Sequence, residues 1–100
     1  MQSYPPIVEQ KLAEIRKAGG ERIVHDGQYT YILLALGERR TGGYQIKIVD
    51  CKETAQEIIF TAKEIRPDPG AMVIQVITYP TLVHKLPKTT KSITIKWTRY

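Results

Sequence analysis

Apolar residues recur at a helical period near the start of the chain. Val8, Leu12 and Ile15 fall at i, i+4 and i+7, with Glu9, Lys11, Glu14, Arg16 and Lys17 on the opposite side. Pro5 and Pro6 suit a first helical turn, where their missing N–H groups would have no partner anyway, and Ser3 stands where an N-cap would. The spacing predicts a helix over residues 6–18, stopped by Gly19-Gly20. Its apolar stripe must be covered, and packing on a sheet is the ordinary way.

Beyond Gly20 the pattern changes to β-branched and aromatic residues punctuated by turns. Residues 22–25 read as a short strand closed by the hairpin turn Asp26-Gly27. Residues 28–36 follow, with Tyr29, Tyr31 and Leu33 alternating against Thr30, Ile32 and Leu34. Both sets are largely apolar, as in a central strand covered on both faces, and the helix is a candidate for one cover. Strands are further predicted over 44–52, where Tyr44, Ile46 and Ile48 share a face, and over 57–66, 72–78 and 82–86. The last, 92–98, alternates cleanly, with Ile93, Ile95 and Trp97 facing inward. Pro67-Asp68-Pro69-Gly70 is a rigid loop that strand geometry excludes.

One helix followed by six or seven strands predicts an α+β, mostly β fold: an N-terminal helix packed on an antiparallel sandwich or partly open barrel. The chain's 100 residues suffice for one core, so a single domain is expected, with residues 1–20 carrying the helix and 21–100 the β-rich body.

Charge and cysteine content narrow the function classes. Fifteen Lys and Arg against ten Asp and Glu leave a net charge of +5, but the basic residues are spread. Arg39 and Arg40 are adjacent, Lys85, Lys88, Lys91, Lys96 and Arg99 form a sparser series, and a stripe of charges with base-stacking aromatics on the same surface is not evident along the chain. A solvated positive surface is the simpler reading, and nucleic acid is a disfavoured partner. No apolar stretch is long enough to span a membrane, and no signal-peptide core follows the N-terminus. The chain as it stands reads as cytoplasmic, or as extracellular or cell-envelope if excised from a longer protein. An exposed edge strand leaves a homodimer open.

Catalytic chemistry finds no support. Cys51 is the sole cysteine, and neither His25 nor His84 stands at a spacing that marks a nucleophile–base pair. No histidine pair has metal-ligand spacing, and Glu53, Glu57, Glu64 and Asp68 lie in charge-mixed segments. Residues 37–44 are glycine-rich but lack the Walker spacing and a following helix. No catalytic residue, metal or cofactor is therefore expected. That loop reads either as a hairpin connection or as a protein-binding surface, since Arg and Tyr are enriched among interface hot spots.

The segment Gly37-Glu38-Arg39-Arg40-Thr41-Gly42-Gly43-Tyr44-Gln45-Ile46 is followed downstream by Pro67-Asp68-Pro69-Gly70-Ala71-Met72-Val73-Ile74-Gln75-Val76-Ile77-Thr78-Tyr79-Pro80. Together they resemble the C-terminal domain of PrcB-type proteins, which carries a G-x-R-x-T-G-G-Y stretch, a P-x-P-G turn and a glutamine-containing strand running to a proline. The resemblance implies a non-enzymatic accessory role, the family's namesake being similar to a subunit that associates with a bacterial surface protease and supports its assembly or stability. The expected partner is another protein, a protease among the candidates. The chemistry of the two loops nominates Arg39, Arg40, Thr41, Gly42, Gly43, Tyr44, Pro67, Pro69, Gly70 and Gln75 as contact residues. The T-G-G-Y loop also resembles the N-P-T-T-G-Y loop of chagasin-like protease inhibitors without its Asn and Pro, so inhibition by loop insertion is the alternative.

Overall fold

A computed structural model of the chain describes residues 4–98. The helix α1 spans Pro6–Arg16, and six strands follow: β1 (Gly20–His25), β2 (Tyr29–Ala35), β3 (Gln45–Glu53), β4 (Glu57–Ile65), β5 (Thr81–Pro87) and β6 (Ser92–Thr98). The fold is α+β and mostly β. Ser3 lies outside the described residues; Pro5 occupies the N-cap position without a side-chain cap, and its carbonyl accepts from the N–H groups of Val8 and Glu9. The helix ends two residues earlier than its periodicity predicts, and Gly19 N–H donates to the Ile15 carbonyl at 2.8 Å.

The strands form two three-stranded sheets, ordered β1-β2-β5 and β3-β4-β6. Three layers result: helix, first sheet, second sheet. Strand β2 is the middle of the first sheet, and its two faces serve two cores. Tyr31, Leu33 and Ala35 pack with Val8, Ile15 and Val24 under the helix. Ile32 and Leu34 face the other way, onto Ile46, Ile58, Phe60 and Ala62 of the second sheet. Residues 30–35 are accordingly all buried.

Three expectations are corrected. The sandwich is not wholly antiparallel: β6 pairs with β4 in parallel, Ile58 opposite Ile93 and Phe60 opposite Ile95. The reason is topological, because β5 joins the first sheet and the chain returns to the second running the same way as β4, with the intervening segment acting as the crossover a parallel pair requires. Residues 72–78 form no strand; Thr78 makes only an isolated bridge to Arg39. Prolines 67, 69 and 80 bracket that segment, and β propensity without a partner strand does not make a strand. Trp97, expected inside, is half-exposed, and its indole N–H donates to the Glu21 carboxylate at 3.1 Å.

Strand β3 carries a bulge between Ile48 and Asp50. Before it, Ile46 and Ile48 face the core; after it, Cys51 stands opposite Phe60 and Glu53 opposite Ile58, so that Cys51 and Glu53 take core-facing positions. A bulge inserts one extra residue and so exchanges the two faces of a strand.

At the β1–β2 turn, the Asp26 carboxylate accepts from the N–H groups of Tyr29 at 2.7 Å and Gln28 at 2.8 Å. Those bonds, Tyr29's first, hold its carboxyl below the usual aspartate range. The contribution is therefore complete above the unfolded pKa of about 3.9 and is lost as pH falls through the lower folded value. Chemical denaturation of wild type and Asp26→Asn across this range should show the stability difference at neutral pH shrinking as pH falls below about 4. Ile32→Ala, at a fully buried position facing the second sheet, should cost about 2–5 kcal/mol with an unchanged urea m-value.

Candidate functional site

The loop from Gly37 to Tyr44 connects the two sheets. Gly37 has φ +81°, and a Cβ there would lie 3.2 Å from the Ala18 carbonyl carbon, so the loop leaves β2 where the backbone packs against the end of the helix. Beyond it, Arg39 is held on several sides. Its N–H and carbonyl exchange hydrogen bonds with Thr78, both at 2.9 Å. Its Nε donates to Glu64 at 2.9 Å, Nη1 donates to the Leu36 carbonyl at 3.0 Å, and the guanidinium lies 5.6 Å from the centroid of the Tyr44 ring. The Arg39 and Tyr44 side chains nominated as contact residues thus meet each other, fastening the loop to β4.

The tip of the loop is fastened to the downstream segment. Gly42 N–H donates to the Ile74 carbonyl at 2.9 Å, and the Thr78 hydroxyl donates to the Thr41 carbonyl at 2.8 Å. Gly43 has φ +92°, and a Cβ at this position would meet Pro67 Cβ at 2.9 Å and Val73 Cγ1 at 3.1 Å. Both the left-handed backbone and the close approach exclude a side chain. The structure thereby brings Arg39, Thr41, Gly42, Gly43, Tyr44 and Pro67 together with Val73, Ile74 and Thr78. Pro69 and Gly70 lie farther out, in an exposed turn closed by Ala71 N–H on the Asp68 carbonyl at 2.9 Å. Arg40 and Gln75 are exposed, and their side chains make no hydrogen bond or ion pair among the described residues.

What this knot displays is apolar. Met72 is fully exposed, Ile74 is 70 % exposed, Ile77 57 % and Val76 52 %. These residues escaped the site reading because an apolar run between turns reads as a buried strand. The sequence signal is an apolar run bounded on both sides by proline. Exposed Arg40 and Arg66 belong to the same loop region. Contiguous exposed apolar side chains with a charged rim mark interaction surfaces.

No group of three or more His, Cys, Asp or Glu among the described residues is placed to hold a metal ion. No helix among them is long and apolar enough to cross a membrane.

Layering and loop knot together define a class: a small helix-capped β sandwich presenting a hydrogen-bonded double loop at one end. The family described as PrcB C-terminal matches residues 30–87, more than half of the chain, and the protein belongs to that family. The match runs from β2 through β5 and contains the whole knot. It is an accessory-type domain family, not a known catalytic one. No curated protein and no solved structure matches the chain.

Gly43→Ala should destabilise the chain by about 1–3 kcal/mol, since it strains φ and drives a methyl into Pro67. Gly70→Ala shares only the strained φ, with open space around it, and should cost less in the same thermal denaturation series.

Proposed function

We propose that this protein is a non-enzymatic, protein-binding accessory module whose contact surface is the apolar run of Met72, Ile74, Val76 and Ile77. The observation that carries this reading is the exposure of these four side chains on a segment fastened to the Arg39–Tyr44 loop. Full cover would contribute roughly 1.5–3 kcal/mol for Met72, which is fully exposed, and proportionally less for Ile74, Ile77 and Val76, which are already partly covered. A preformed segment also loses little entropy on binding, because its backbone is tied to Gly42 and Arg39 beforehand. Arg40 and Arg66 supply the rim, and Gln75 an exposed polar contact within the run. A partner within a protease complex, with assembly or stability as the service performed, is what the resemblance to PrcB-type proteins implies for a member of the PrcB C-terminal family. Loop insertion into a protease cleft draws less from this geometry, since Thr41 and Gly42 already engage Thr78 and Ile74.

Capture experiments from extracts of the native host, with wild type and an Ile74→Asp/Val76→Asp variant of unchanged melting temperature, test the surface. Wild type should retain a protease-containing assembly and the variant should lose it by about tenfold or more. Equal recovery by both would remove the apolar run from the interface. Recovery without any protease component would remove the protease-complex reading and leave the surface standing.

A further inference from the structure

The two sheets part at the end of the sandwich near the β3–β4 turn and the end of β5, leaving a half-open cavity of about 290 Å³. Ile58, Phe60, Leu86 and Pro87 supply its apolar lining, and Cys51, Glu53, His84, Lys88 and Thr89 its polar one. Register makes this unusual. His84 pairs with Ile32, and Cys51 and Glu53 pair with Phe60 and Ile58, so three polar residues occupy positions that face the inter-sheet core. Polar residues at such positions weaken a core unless they serve a site. Here all three are exposed while Ile32, Ile58 and Phe60 beside them are buried, so the sheets open around them.

We propose that this mouth binds a small amphipathic carboxylate, its apolar body against Ile58, Phe60 and Leu86 and its acid group toward Lys88. Charge selects the acid. Glu53, the carboxylate in the lining, is ion-paired to Lys91, whereas Lys88 has no ion pair among the described residues. The His84 ring, whose centroid lies 5.5 Å from that of Phe60, and Thr89 add polar groups to the lining. The segment carrying Lys88 is anchored, since Thr89 N–H donates to the buried Thr30 hydroxyl at 3.4 Å. Size selects a small ligand, because the volume is about twice the roughly 150 Å³ void that accommodates benzene. Clefts with an apolar lining and a few placed polar groups are the usual form of small-ligand sites.

Cys51, the sole cysteine, lines the mouth and reports its occupancy. Iodoacetamide labelling of the full chain should slow about fivefold or more in 3-phenylpropionate at about 10 mM, a concentration that saturates a millimolar site. Lys88→Met should raise the 3-phenylpropionate concentration needed for half-protection about tenfold and Lys88→Arg should restore it, with melting temperatures unchanged, as a lost charged hydrogen bond predicts. Neutral 3-phenylpropanol should need about a tenfold higher concentration than the acid for half-protection. Absence of protection by either compound overturns the site. Equal protection by alcohol and acid, or full protection in Lys88→Met, overturns the carboxylate and leaves an apolar side chain of a partner protein as the occupant.

Discussion

Everything in this molecule hangs on the double burial of β2. A strand apolar on both faces cannot lie at a surface, and in this chain it is satisfied by α1 on one side and by β3, β4 and β6 on the other. The helix is marginal in isolation at 11 residues, and its Val8–Ile15 stripe gains its stability from the face that Tyr31, Leu33 and Ala35 provide. The second sheet is no more independent, because three strands need an apolar face to cover and Ile32 with Leu34 provides it. One strand therefore couples three layers into a cooperative unit.

That arrangement leaves the two ends of the sandwich to do different things. At one end the long connections on either side of β3 and β4 knot together, with Gly43 against Pro67 and Arg39 bridging Thr78, Glu64 and Tyr44. The knot explains why two sequence-distant motifs occur together: each supplies the surface on which the other is folded. The backbone bonds of Ile74 to Gly42 and of Thr78 to Arg39 hold Met72, Ile74, Val76 and Ile77 in solvent. At the other end the bulge in β3 turns Cys51 and Glu53 toward the inter-sheet space, and the layers part.

Local patterning carried much of this. Helical spacing identified α1, the doubly apolar run identified β2 as central, and the alternation of 92–98 matched β6 in extent. These features rest on periodicity and turn chemistry, which neighbours within a few residues determine. The T-G-G-Y and P-x-P-G motifs were also legible, although Arg39 and Tyr44, chosen for their value at interfaces, are engaged with each other inside the chain.

What tertiary structure alone decided are the properties that depend on partners distant in sequence. The parallel pairing of β6 follows from β5 entering the opposite sheet, a choice no single strand encodes. The apolar residues from Met72 to Ile77 have the propensity of a buried strand and become a display surface because Ile74 and Thr78 bond to a loop, not to a ladder. The bulge after Ile48 reverses which residues of β3 face inward, converting a strand end that reads as solvent-exposed into the wall of a cavity. Sequence by itself determined the helix, the central place of β2 and the extent of β6, because periodicity and turn chemistry are local demands. Register, sheet membership and exposure were left to the assembled fold, because they depend on which partner each segment finds.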